Sequence, residues 1–197
     1  MSIAELIQQV RFEIAKNPAK AGIATSDLPG LRFLEQRNPT QFEATVYTPV
    51  VCLILQGGKS VRVGDQSFDV GPGDSLIVAQ DLPVTARITK ANPKNPYRAI
   101  LISLDLETVR SLEDQIDETS FRRHHDTVLG VGPADNALID ALSRYLALAD
   151  KPAEAKVLAP LIMTEIHYRI LMAPHGGMLR RLLRRDSHAS RVGLAIA

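Results

Sequence analysis

Few residues in this chain of 197 stand together as groups that could do chemistry. His124, His125 and Asp126 form a run of three metal-ligand types. Adjacent side chains on extended backbone point apart, so the run does not converge on one ion. A first-row metal needs several imidazole, thiolate or carboxylate groups aimed at one point. Cys52, the single cysteine, sits inside the apolar run Val50–Leu55 without a recognisable basic or histidine partner nearby in sequence. It reads as a small buried hydrophobe, with a partner supplied by the fold left open. His167 lies beside an apolar helical stripe and reads as a packed or interface histidine. Glu165 and Arg169 form an i,i+4 pair on the same helix. Arg180, Arg181, Arg184 and Arg185 make a basic cluster whose default reading is a solvated helix face.

The bulk properties exclude several classes. The net charge of +1 gives the chain alone no phosphate-neutralising surplus for gripping nucleic acid. No apolar run approaches the ~20 residues of a membrane span. The opening MSIAELIQQVRFEIAKN carries acids and no continuous apolar core, unlike a signal peptide. One cysteine excludes an internal disulfide framework and fits a reducing, cytoplasmic setting. At this length a core needs neither disulfides nor metal.

The elements that must position any site follow from periodicity. Thr48–Ala91 is a series of short apolar runs broken by Gly57-Gly58, Gly64-Asp65-Gln66 and Gly71-Pro72-Gly73-Asp74. Val50–Leu55, Val61–Val63, Phe68–Val70, Leu76–Ala79 and Val84–Ile88 read as strands joined by tight turns. Leu31–Leu34 and Phe42–Tyr47 precede them, and Tyr97–Leu104 follows. Strands so short and closely spaced predict a small antiparallel barrel. Before it, Ser2 and Glu5 form a capping box for a helix ending at Asn17-Pro18. After it, the period changes from two to 3.6. Asp105 caps a helix carrying Leu106, Val109, Leu112 and Ile116. Residues 120–133 read as a linker. Ala134–Ala149 and Glu154–Met172 read as an antiparallel helix pair, with a kink or a later start expected at Pro160. Met178–Arg185 reads as a short helix, and Ser190 as the cap of a last one. The predicted organisation is mainly β with an α appendage: residues 1–24 a helix and arm, 25–104 the barrel, 105–197 a helical subdomain.

The segment GDQSFDVGPGDSLIVAQDLPV has the layout of half a cupin barrel (a double-stranded β-helix, or jelly roll). Cupin enzymes carry their metal ligands in two motifs, and both can be laid on this chain. Anchored on Gly57, the first motif's glutamate falls on Val50. Its two histidines fall on Ala44 and Val46, or, in a second register, on Glu43 and Thr45. Anchored on Gly73, the second motif falls on Ala79, Gln80 and Asp81, with its histidine on Val84. Only Glu43 could coordinate a metal, so no metal and no cofactor are expected. TPVVCLILQGGKSVRVGDQSFDVGPGDSLIVAQDLPVTARITKA, followed by PYRAILISLD and LAPLIMTEIHYRILMAPHGGMLRRLLRRDSHASRVGLAIA, resembles the N-terminal domain of AraC-type transcription regulators. The likeness covers most of Thr25–Ala197.

That resemblance implies a non-catalytic bacterial regulatory domain that senses a small molecule and forms a homodimer. DNA would be reached only through a helix-turn-helix half, which the family places after the point where this chain stops. The basic cluster would then lie near phosphates. An effector would sit in the barrel. Motif alignment and alternation point Val46, Val50, Cys52, Ile54, Val84 and Ala86 inward, an apolar lining that fits a packed core or an apolar pocket. Gln56, Arg62, Arg87 and Arg98 are the polar candidates at its mouth. The helical pair offers the dimer surface through Leu138, Leu142, Tyr145, Leu158, Ile162, Glu165, Ile166 and Arg169. Two alternatives remain at this level: a metal-free cupin enzyme of isomerase type, for which no acid–base pair can be placed, and a structural dimerisation domain without a ligand.

Overall fold

The computed structural model describes residues 2–18, 22–116 and 129–180. The N-terminal helix α1 (Ile3–Lys16) starts at the expected capping box: Ser2 Oγ accepts from the Glu5 N–H, and the Glu5 carboxylate accepts from the Ser2 N–H. Its Leu6 and Val10 are fully buried.

Ten strands follow in two antiparallel sheets. They are β1 (Ile23–Thr25), β2 (Leu31–Gln36), β3 (Glu43–Tyr47), β4 (Val50–Gln56), β5 (Gly58–Val63), β6 (Gln66–Val70), β7 (Asp74–Val78), β8 (Leu82–Lys90), β9 (Tyr97–Ser103) and β10 (Leu129–Pro133). One sheet has the order β1-β2-β9-β4-β7-β10, the other β3-β8-β5-β6. Val50, Cys52, Ile54, Leu76, Val78 and Ala99 of the six-stranded sheet meet Val61, Val70, Val84 and Ile88 of the four-stranded one in a single core. The sheets therefore face each other as a flattened, cupin-like barrel.

The middle strands β9, β4 and β7 of the six-stranded sheet are covered on both faces. Along β4, Val50, Cys52 and Ile54 face the interior, while Val51, Leu53 and Leu55 join a second core with the helices. This is why VVCLILQ has no polar alternation: a strand covered twice reads as a continuous apolar run. The covering elements are α1, α2 (Leu106–Glu113), α3 (Asn136–Leu146) and α4 (Pro152–Met172).

The chain changes sheet between β4 and β5 across one residue, Gly57, whose φ is +80°. A Cβ there would lie 2.3 Å from the Lys90 carbonyl oxygen, so both conformation and close approach demand glycine.

Three expectations are corrected. Residues 120–133 do not form a linker throughout: Leu129–Pro133 is β10, paired antiparallel with β7 at the sheet edge. Ile23–Thr25 is a strand, paired with β2. Helix α4 begins earlier than Glu154, with Pro152 in its first turn, and runs unbroken past Pro160. Proline is well suited to a first turn, where its missing N–H has no partner to lose.

Candidate functional site

Among the described residues, the interior between the sheets is apolar except at one point. Lys59, directly after the β-bulge that opens β5, points inward and is only 4% exposed. Its cross-strand neighbours within the four-stranded sheet, Val70 and Ile88, are core residues. Its Nζ donates to Cys52 Sγ at 3.3 Å and lies 5.3 Å from the Tyr47 ring centre. Cys52 Sγ is also 3.9 Å from Tyr97 Oη. Four polar-tipped side chains from β3, β4, β5 and β9 thus converge, and no carboxylate is among them.

Burial alone pulls the Lys59 pKa down, but the field of an ionised Cys52 and Tyr47, and hydrogen bonds to both, set it above the ordinary lysine value. Burial pushes Tyr97 well above the usual phenol range, and the nearby Cys52 charge adds to this. At neutral pH Tyr97 is therefore an O–H donor. The cluster can offer an ammonium and a phenol to one negatively charged or carbonyl oxygen. Among the described residues, no three His, Cys, Asp or Glu side chains come together as a metal site.

The residues expected in the pocket divide cleanly. Val50, Cys52, Ile54, Val84 and Ala86 belong to the interior cluster. Val46 does not: it is 57% exposed. Its neighbours Thr45 and Tyr47 pair with the inward residues Val84 and Leu82, so alternation turns Val46 outward. The motif anchoring was one residue out, and the second register, through Glu43 and Thr45, has the inward parity. Arg62 and Arg87 are not at a mouth. They stack on opposite strands against the Phe42 ring, at 4.0 and 4.6 Å, on the outer side of the four-stranded sheet. Gln56 and Arg98 do come together: Arg98 Nη1 donates to Gln56 Oε1 at 3.0 Å, and its Nε to Glu35 at 2.8 Å. Lys59, Tyr47 and Tyr97 were not foreseen. Parity was the available signal for two of them, since Lys59 alternates with Val61 and Tyr97 with Ala99.

The expected dimer surface is also corrected. Leu138, Leu142, Tyr145 and Ile166 are buried inside the chain, and Ile162 packs against the same core. The outer face of the six-stranded sheet consumes the α3 stripe. Glu165 accepts from Arg144 of α3 at 2.6 Å and lies 3.5 Å from Arg169, so this cluster ties α3 to α4 within one chain. The Arg144 hydrogen bond holds the Glu165 carboxyl below its ordinary pKa. Leu158 remains 38% exposed, and Val157 and Leu161, 66% and 64% exposed, extend its patch.

A larger cavity of about 650 Å³ lies outside the barrel, lined by Leu28, Leu104, Tyr145, Ala159, Met163 and His167 among others. His167 accepts from the Asp105 N–H through Nε2 and meets the Met163 carbonyl through Nδ1. Burial lowers its pKa, so both contacts belong to the neutral ring. Arg180 is buried, unlike a solvated helix face. His124, His125, Asp126, Arg181, Arg184, Arg185 and Ser190 lie outside the described residues.

The family description "AraC-type transcriptional regulator N-terminus" matches residues 27–178, which take in strands β2 to β10 and helices α2, α3 and α4. The chain belongs to this family. Among solved structures, the AraC-type domain is similar to apo ToxT K231A from Vibrio cholerae, at 10% identity and TM-score 0.47, over 75% of this chain and 58% of that one. It is also similar to the AraC-like transcriptional activator CuxR, at 14% identity and TM-score 0.45, over 94% and 75%. A cupin superfamily protein from Desulfitobacterium hafniense shares 24% identity over 41% of this chain and 71% of that one, with TM-score 0.32. The AraC-type domain thus spans less than two thirds of the ToxT chain. Comparison with curated proteins gives no match.

Proposed function

We propose that this AraC-type domain is a non-catalytic sensor that takes a small acidic molecule between its two sheets, with the acid group on Lys59. The observation that carries the reading is the burial of an ammonium group with no carboxylate hydrogen-bonded to it among the described residues. A buried charge is costly unless paired and hydrogen-bonded. An uncharged thiol or phenol is a weak partner for an ammonium, and an incoming carboxylate is a strong one. The apolar walls built by Val50, Ile54, Val84 and Ala86 suit the remainder of such a ligand.

On the same reading, a second copy packs on the α4 patch of Val157, Leu158 and Leu161. DNA is engaged through a helix-turn-helix half of the whole regulator, in the cytoplasm. Coupling requires the ligand to favour one arrangement of these parts over another. A thermal-shift screen of short aliphatic and aromatic monocarboxylic acids tests the proposal. At least one acid should raise the melting temperature of the wild-type chain and fail to do so for Lys59→Met. A panel inert on the wild type, or equally active on the variant, would overturn it.

A further inference from the structure

A second cavity, of about 390 Å³, opens where α1 meets the rim of the barrel. Its character is opposite to that of the interior. Arg11 of α1, Arg37 just after β2, Lys94 in the β8–β9 loop and Arg98 of β9 all line it, and Glu35 is the one carboxylate among its lining residues. That leaves a surplus of three positive charges around one concavity, in a chain whose total net charge is +1. Glu35 is already committed: it accepts from Arg98 at 2.8 Å and lies 3.5 Å from Arg37. Among the described residues, Arg11 has a long hydrogen bond to Gln8, at 3.4 Å, and no ion pair. Lys94 has no ion-pair partner among the described residues.

The cavity is also built rather than merely charged. Arg98 is held by Glu35 and Gln56, and its side chain is 12% exposed. Gln56 in turn donates to Asn95 Oδ1 at 3.2 Å. The loop bearing Lys94 is fixed by Asn92, whose Oδ1 accepts from the Lys94 and Asn95 N–H groups. Guanidinium groups fixed in this way can meet oxyanions with paired hydrogen bonds. A monocarboxylate would leave most of the surplus unanswered, whereas a group bearing two or more charges answers it.

We infer that this rim cavity is a binding site for a phosphorylated small molecule, whose phosphate joins Arg11 of α1 to Arg37, Lys94 and Arg98 of the barrel. The site is separate from Lys59, and its occupancy would clamp α1 to the rim. Helix α1 reaches α3 through Gln9 and Ser143, so the clamp bears on the helical layer.

Isothermal titration of the whole chain with inorganic pyrophosphate at low salt tests the site. Saturable one-to-one binding is expected, weakened by added salt. Arg37→Ala and Lys94→Ala remove exposed side chains, and each should cost about tenfold in affinity, as expected for losing a charge-assisted hydrogen bond. Lys59→Met should leave the affinity unchanged, which separates this site from the interior one. Amide exchange in residues 3–16 should slow when pyrophosphate is bound. No saturable binding, or binding indifferent to both variants, overturns the inference. Binding of citrate with pyrophosphate inert would overturn the phosphate assignment in favour of a polycarboxylate.

Discussion

Replacing Lys59 by methionine removes the charge and keeps the length of the side chain. Its surroundings are Cys52, Tyr47, Val70 and Ile88, which can pack against a thioether as readily as against a lysine stem. The charged forms of Cys52 and Tyr47 are what raise the Lys59 pKa; against an uncharged thiol and phenol, the empty protein bears the ammonium's desolvation cost with only soft partners. Substituting apolar groups for buried charges is commonly neutral or stabilising by about 1–4 kcal/mol. In a domain of this size each kcal/mol moves the melting temperature by about 2–4 °C. Lys59→Met should therefore melt at the wild-type temperature or up to about 16 °C higher by differential scanning calorimetry. The same variant should lose affinity for a carboxylate ligand by about 2 kcal/mol or more, roughly thirtyfold, because one partner of a buried charge pair is gone. Stability and binding must move in opposite senses. A variant destabilised by about 2 kcal/mol would refute the reasoning. It would show that Cys52 and Tyr47 already satisfy the ammonium and that Lys59 holds the sheets together.

Other perturbations follow from the same coordinates. His167 has a depressed pKa, so the unfolded chain binds its proton more readily than the folded one. Stability should be full above the ordinary histidine value of about 6.5 and fall as pH drops below it, and His167→Gln should flatten that limb in thermal melts. A slope unchanged in the variant would assign the limb elsewhere. Gly57→Ala should cost at least about 2 kcal/mol in denaturant melts, since a positive φ costs about 1 and the Lys90 carbonyl obstructs the Cβ. Gly64→Ala, at φ +54° with nothing within 4 Å, should cost only the conformational part, and equal losses would contradict the close-approach argument. Leu161→Glu should shift sedimenting dimers to monomers while the far-UV circular dichroism stays that of the wild type. A wild-type chain that is already monomeric would remove α4 as the dimer face.

The barrel and its helices were legible because their signals are local. Tight turns at Gly64-Asp65 and Gly71–Asp74, and caps at Ser2 and Asp105, are short-range devices that a sequence displays directly. Alternation along β4 placed Cys52 and Ile54 correctly. It failed at Val46, since Pro49 separates β3 from β4 and parity does not carry across such a break. Strand β10 was hidden because LGVGP has the composition of a loop; it is a strand only because β7 supplies its partner. The α3 stripe announced burial without saying against what. An amphipathic pattern fixes which face leaves water, and the choice between the chain's own sheet and a second copy is a tertiary matter. Lys59 was passed over for a related reason. Lysine is almost never fully buried, so its residue type argues for the surface even though its parity with Val61 points inward.

The doubly covered sheet is what could make the proposed sensor report. On β4, Cys52 touches Lys59 in the interior, while its neighbours Val51 and Leu53 pack into the helical core with α1, α3 and α4. A ligand that shifts the Lys59–Cys52 contact acts on a strand whose other face is the floor of the helices. Close-packed interiors resist continuous deformation, so a displacement of β4 must be absorbed by repacking on its far side. The rim cavity meets the same layer from the edge: Gln56 ends β4, and Arg11 belongs to α1. Two chemically different ligands, one at Lys59 and one at Arg98, would thus bias a single mechanical element. If both sites act through β4 and α1, saturating one must change the affinity of the other by the same factor in either order of addition. Two titrations with unaltered affinities would show that the interior and the rim are energetically independent, whatever each of them binds.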